Sequence, residues 1–307
     1  MWSFIRKRIA MGLLTVFATT IAVTVLIHLV PGDPVRIMYA QSQGTTPEQL
    51  EEIRHALGLD RPIPVQYVRF VGRLLHGDLG TTVRGQQPVL DLILQRLPNT
   101  LLLAFSAMSL AIVIGVPLGF VAAYRRGTAL DTGLMSLAIA GISIPHFWLG
   151  LLLLFFFAVR LQWLPVAGTG ALNLVLPALT LGLSNAAIIA RMTRSAMIDV
   201  MSQDFVRTAH AKGLPKTIVL ERHVLRAGLV PVITIMGMQF AAMMGGAIVV
   251  ENIFAWNGVG RLAIEAIFQR DYPMIQGFIL VFATVVVTVS ILLDVAYALA
   301  DPRIRRS

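Results

Sequence analysis

The chain has 307 residues, of which 56% are hydrophobic and 13% charged. A soluble domain of this size needs more charge to cover its surface, so the composition excludes a water-soluble fold and indicates a membrane protein. Cysteine is absent, which excludes disulfides and thiolate metal sites. The formal charge of +9 is informative only through where the bases fall.

A bilayer core of about 30 Å needs about 20 apolar helical residues. Uncharged runs of that length occur at 9–30, 101–124, 132–159, 172–190, 227–250 and 273–293. They predict an all-α, polytopic protein with six transmembrane helices. The fourth run is the weakest, because Asn173, Pro177 and Asn185 interrupt it. The first follows Arg6, Lys7 and Arg8 but is too long for a signal-peptide core, so it is expected to stay as an anchor.

Residues 31–100 form the one large segment outside the spans on the far side. "TPEQLEEIRHALGL" carries Thr46 as N-cap, Pro47 at the first helical position and Gln49 closing a capping box, with Gly58 as a stop. "VQYVRFVGRLL" is a second amphipathic stretch reaching Gly77, and a third lies near 88–96. Bases and acids balance at seven each between residues 31 and 100, so the segment reads as a folded cap. It either packs on the outer surface or takes part in receiving substrate.

The bases report topology. Arg6, Lys7 and Arg8, then Arg125 and Arg126, then seven bases from Arg191 to Arg226, then Arg303, Arg305 and Arg306 share one side if six spans are right. That asymmetry places both termini and the 191–226 loop in the cytoplasm. A nucleic-acid partner is not needed to explain the charge.

Enzymatic signatures are missing. The three lysines, Lys7, Lys212 and Lys216, sit in no phosphate-binding loop, and neither a zinc-protease HExxH nor a nucleophile elbow occurs. Ser143 and His146 in "GISIPHF" are the nearest hydrolytic pair, but Pro145 between them favours a bend. Gly115 and Gly119, and the pair Gly245-Gly246, are candidates for close helix contact. Asp294, near the inner end of the last span, is expected to be either a structural pair with an arginine at the cytoplasmic interface or part of a gate or pathway.

The polar stretch after the fourth run is the main functional signal. Ser202 is suited to cap a short helix, Asp204 suits its positive end, and Lys212 with Gly213 ends it. Phe205 among Arg207, His210 and Lys212 fits insertion into a partner's groove. An interfacial helix directing its bases to anionic lipid fits equally well.

"RTAHAKG" at 207–213, followed by "RHVLRAGLVPV", resembles the conserved cytoplasmic loop of permease subunits in bacterial ABC importers, with Arg207-Thr208-Ala209 where the consensus has Glu-Ala-Ala. "LVPGDPV" at 29–35, "LGLDRPIPVQY" at 57–67, "HGDLG" at 76–80, "GGAIVVENIFAWNGVGRL" at 245–262, "DYPMIQG" at 271–277 and "LLDVAYALADPRIR" at 292–305 extend the likeness. Across its length the chain resembles the first permease of dipeptide, oligopeptide, glutathione and nickel importers.

The resemblance implies an importer permease fold of type I in the bacterial cytoplasmic (inner) membrane. It implies a second homologous permease, two ATP-binding subunits that carry ATP and magnesium, and an extracytoplasmic solute-binding protein. This chain then holds no cofactor and is no enzyme. Residues 1–30 form the N-terminus and first span, 31–100 the external segment, 101–299 the permease core with its coupling loop at 191–226, and 300–307 the tail. Arg207, Thr208, Ala209, His210, Ala211, Lys212 and Gly213 become the residues that dock on an ATPase, and Arg222 and Arg226 brace the loop. Asn185 and Gln239 are polar within spans and are candidates to face the translocation path. Glu251, with Asn252 and the Asn257-Gly258 turn, either touches the binding protein, lines the entry to that path or belongs to a capped re-entrant turn. Short peptides are the first substrate expectation, with glutathione, nickel chelates or another amino-acid-derived solute as alternatives within the same architecture. An ATP-independent secondary transporter is the alternative outside it.

Overall fold

A computed structural model describes residues 2–29, 35, 46–57, 60–83, 85–168 and 170–300. Parts of the "LVPGDPV" and "LGLDRPIPVQY" motifs, the Gly58 stop and the tail with Arg303, Arg305 and Arg306 lie outside the described residues. Among the described residues the regular structure is helical, apart from an isolated antiparallel bridge between Thr81 and Pro88.

The helices are α1 (Trp2–Leu29), α2 (Pro47–Leu57), α3 (Ile63–Leu75), α4 (Val89–Tyr124), α5 (Ala129–Ser143), α6 (His146–Leu153), α7 (Ala171–Met201), α8 (Asp204–Ala211), α9 (Arg226–Ile253), α10 (Val259–Gln269) and α11 (Tyr272–Ala300). Helix α6 continues as a π-helical stretch over Leu154–Arg160, and a second π-helical stretch, Val219–Leu225, leads into α9. Five helices among the described residues are long and apolar enough to cross a membrane unbroken.

The third apolar run behaves differently. It forms α5 and α6, which meet at a 99° bend and give a sixth span if counted as one. The cause is local: Pro145 lacks a donor, and the residue before a proline is pushed out of the helical region. Ile144 accordingly has φ −82° and ψ 121°. The stretch near 88–96, expected as a separate helix, is instead the first turns of the 36-residue α4. Pro98 lies between Val89 and the apolar run, yet the helix continues through it, so the two fuse.

The chain divides into two compact units. One comprises residues 99–257 with the stretch from Leu292 onward, and is built around α7. Despite Pro177, α7 is continuous and buries Leu176, Leu181, Ile189 and Met197. Glycines let α4 approach it: a Cβ on Gly115 would lie 2.7 Å from the Ala186 carbonyl oxygen, and one on Gly119 would meet the Ala190 carbonyl. This is the expected small-residue contact. Gly245 makes no such contact, because a Cβ there meets nothing within 4 Å.

The other unit comprises residues 2–98 and 258–291. Along α1, the hydroxyls of Thr15, Thr19, Thr20 and Thr24 donate to carbonyls three or four residues back. Polar side chains on an apolar span are satisfied within their own helix in this way. A Cβ on Gly12 would lie 2.8 Å from Val287 Cγ1, which seats α1 against α11. The capping box of α2 is present in both directions: Gln49 N–H donates to Thr46 Oγ1 at 3.3 Å, and Thr46 N–H donates to Gln49 Oε1 at 3.0 Å. Asp271, 4% exposed, accepts from the backbone N–H of Val83 at 2.9 Å and of Met274 at 3.1 Å. It ties the 81–88 turn to the start of α11.

Candidate coupling site

Helix α8 is short, so what holds it is local chemistry at both ends and one buried face. Its N-cap is Gln203, not Ser202. Ser202 closes α7 instead, donating from Oγ to the Asp199 carbonyl at 2.7 Å. Asp204 lies in the first turn, where a carboxylate suits the helix dipole. At the far end Gly213 takes φ +77°. Its N–H donates to the His210 carbonyl at 2.9 Å, and Leu214 N–H donates to the Ala209 carbonyl at 3.4 Å. These two bonds form a Schellman stop, which requires a left-handed residue at the position that Gly213 occupies. The sequence expectation for this terminus is met.

The buried face of α8 is Val206 and Ala209, 4% and 6% exposed. They join a cluster with Ala123 of α4, Met197 and Val200 of α7, and Val219, Leu220 and Val224 of the π-helical return. Burying Val206 alone stabilises by about 2 kcal/mol on the usual apolar-area scale. Helix α8 is thereby rooted in the elements it connects. A Cβ on Gly228 would lie 2.6 Å from Met197 Sδ, so α9 presses on the same part of α7.

Of the seven residues expected to dock, Ala209 faces this cluster and is not presented outward. Its i, i+3 relation to Val206 fixes that phase. Arg207, Thr208, His210, Ala211, Lys212 and Gly213 are all exposed, as is Phe205. Arg207 lies 3.8 Å from Asp204 in a fully solvated pair, which contributes little to stability. Thr208 Oγ1 donates to the Asp204 carbonyl. Beside α8, a groove of about 940 Å³ is lined by Met192, Asp199, Gln203, Phe205, Arg222 and Arg226, among others. Its bases and its exposed phenyl ring give it mixed cationic and apolar character.

The polar residues proposed for the spans fall into place differently. Gln239 Nε2 donates to Asn185 Oδ1 at 3.0 Å, and Asn185 Nδ2 donates to the Leu181 carbonyl at 2.8 Å. The pair joins α9 to α7. Glu251 is fully buried and accepts from Thr100 Oγ1 at 2.5 Å, a bond that joins α9 to α4. The following turn is pinned to the same part of α4: Trp256 Nε1 donates to the Asn99 carbonyl at 3.0 Å, and Asn99 Nδ2 donates to the Asn257 carbonyl at 2.8 Å. Ser143 Oγ donates to the Ile139 carbonyl at 2.9 Å on α5, while His146 opens α6 beyond the bend. The two therefore form no hydrolytic pair.

Sequence reasoning missed one strong pair between α5 and α7. Arg194 of α7 makes a bidentate contact with Asp131 of α5, whose carboxylate also accepts from Gly127 N–H at 3.0 Å. Thr128 caps α5 by accepting from Asp131 N–H. The Thr-x-x-Asp spacing from Thr128 to Asp131 is the local signal that was available, since it marks a capped helix start.

With this geometry in hand, the likeness to known proteins has a structural meaning. Residues 115–306 match the family described as binding-protein-dependent transport system inner membrane component, and residues 1–104 match its N-terminal companion. The di/tripeptide transport system permease protein DppB of Pseudomonas aeruginosa is 40% identical, with 99% of each chain covered. A glutathione transport system permease protein, GsiC of Pectobacterium atrosepticum, is also 40% identical over 99% of each chain. Among solved structures, the inward-facing MetNI methionine ABC transporter matches with a TM-score of 0.58 at 18% identity, covering 68% of this chain and 96% of that one. At that identity the match establishes the fold, which is that of an ABC importer permease. The chain belongs to the family of inner-membrane permease components of binding-protein-dependent transport systems.

Proposed function

We propose that this chain is one of two permeases of an ATP-driven importer of di- and oligopeptides. It forms the translocation path with a second, homologous permease. Two ATP-binding subunits carry ATP and magnesium, and an extracytoplasmic solute-binding protein delivers the substrate. Both termini and the loop bearing α8 lie in the cytoplasm, and residues 101–299 form the permease core. The carrying observation is α8 itself: a helix rooted by Val206 and Ala209 and ended by Gly213, with the rest of its surface outward. A lever has this construction. Arg207, Thr208, His210, Ala211, Lys212 and Gly213 contact the ATP-binding subunit, and Phe205 enters its groove.

When the ATP-binding subunits close, they carry α8 with them. The buried cluster passes that displacement to α7 and α9, and the path alternates between inward and outward openings. The relatives named for di/tripeptides support a peptide substrate; the glutathione permease is consistent with the same class, since glutathione is itself a modified tripeptide. The cysteine-free sequence supplies the test. Ala211→Cys and Thr208→Cys are expected to crosslink to a cysteine-bearing ATP-binding subunit in membranes. Modification of either position by an impermeant thiol reagent added outside the cell would reverse the proposed topology.

A further inference from the structure

The groove beside α8 has walls of opposite charge. On α7, Met192, Ser195, Ala196 and Asp199 recur at i, i+3, i+4 and i+7, so one helix face supplies the first wall. The second wall carries Arg222 and Arg226, four residues apart, followed by Val230. Asp199, Arg222 and Arg226 are exposed, and among the described residues none of the three is in an ion pair. Charges of both signs thus line one groove of about 940 Å³ without neutralising one another. The rest of the lining is largely apolar, with Met192, Ala196, Val230 and Ile235.

The arginine wall is also the irregular one. Val219–Leu225 is π-helical, and Pro231 lies inside α9. Both features are common causes of a helix bend, and π-helical turns concentrate at functional sites. Pro231 has no N–H, so the Ala227 carbonyl lacks its α-helical donor, and both residues line the groove. This wall is therefore the one built to shift against α7.

We propose that the groove is a peptide site filled from the cytoplasm by product already imported, and that its occupancy slows the transport cycle. The proposal rests on the peptide-importer reading above. A free peptide carries one charge of each sign, and a dipeptide spans about 7 Å. The groove falls in the range of about 300–1,000 Å³ usual for small-molecule sites. Arg222 and Arg226 receive the carboxylate, for which the guanidinium fork is suited. Asp199 receives the ammonium, and the apolar lining takes the side chains. A ligand held by both walls fixes their separation, whereas displacement of α8, which joins them, must change it. Binding that favours one spacing opposes the change to the other.

The test uses the complete importer in nanodiscs, with both permeases and the ATP-binding subunits but no solute-binding protein. Binding of radiolabelled alanyl-phenylalanine is measured beside forms acetylated at the amino end or amidated at the carboxyl end. The free dipeptide is expected to bind saturably, and each blocked form about tenfold more weakly, through loss of one charge-assisted contact. Arg222→Gln with Arg226→Gln should weaken the free and acetylated forms and spare the amide. Asp199→Asn should weaken the free and amidated forms and spare the acetylated one. If these residues serve structure alone, their replacement moves all three ligands together, and that result would overturn the proposal. ATP hydrolysis is expected to fall as the free dipeptide is added, with half of the effect at half-saturation. A full rate with the groove saturated, or no saturable binding at all, would overturn it too. Uptake of the dipeptide by the native complex with its solute-binding protein is followed in parallel. ATP-driven uptake without groove binding would remove this inference alone, while absence of uptake would remove the peptide-importer reading and the inference with it.

Discussion

Arg194 donates from Nε to Asp131 Oδ1 at 2.6 Å and from Nη2 to Asp131 Oδ2 at 2.7 Å, with the carboxylate almost fully buried. A fork of this kind is strong and directional, and it fixes the start of α5 to the last third of α7. Removing either partner alone leaves an unpaired charge, so Asp131→Leu or Arg194→Met alone is expected to lower stability by on the order of 3 kcal/mol. The paired replacement Asp131→Leu with Arg194→Met is expected to recover much of that loss. Thermal unfolding of the native chain, the two single variants and the paired variant in detergent forms the double-mutant cycle. A paired loss equal to the sum of the two single losses would show that the two residues do not act together.

The glycines of α4 and α9 are expected to respond oppositely to one methyl group. Gly115→Ala and Gly119→Ala place a Cβ against the backbone of α7, and overpacking of this kind costs about 1–3 kcal/mol. Gly245→Ala meets open space and should leave the melting temperature unchanged or slightly higher. Melting curves of the three variants check the contrast directly.

Asp271 sets a pH dependence outside the spans. Burial pushes its carboxyl above the ordinary value of 3.8, partly offset by the N–H groups of Met274 and Val83. Because the folded-state pKa is raised, the native state holds the proton more tightly than the unfolded chain. The contribution of this residue to stability is therefore fully present below 3.8 and falls as pH rises through the raised folded value. The difference in melting temperature between the native chain and Asp271→Ala should thus shrink on going from about pH 3 to about pH 7. A difference that grows with pH would give the shift the opposite sign.

Much of this organisation was legible in single residues. The apolar runs marked the spans, Thr46 and Gln49 the α2 cap, Gly115 and Gly119 the helix contact, and Lys212-Gly213 the end of α8. Each is a local rule acting over a few residues. What stayed hidden depends on distance or phase. Asp131 and Arg194 are 63 positions apart, and Thr100 and Glu251 are 151 apart; neither chemistry nor spacing joins such pairs in advance. Pro145 announced a bend but not its 99° angle. Ala209 belongs to the docking stretch that the resemblance implies, although its phase with Val206 turns it inward.

The coupling role is tested most directly at Gly213. Its φ of +77° is costly for a β-branched residue, by about 1–2 kcal/mol, while a side chain there meets nothing within 4 Å. Gly213→Val should therefore perturb the end of α8 without disturbing the core. In proteoliposomes holding the complete importer, ATP hydrolysis and uptake of a labelled dipeptide should be measured together, for the native complex and for the variant. The native complex should take up peptide only with ATP, and the variant should hydrolyse ATP while uptake falls sharply. Undiminished ATP-driven uptake by the variant, or peptide uptake driven by an ion gradient without the ATP-binding subunits, would contradict the mechanism.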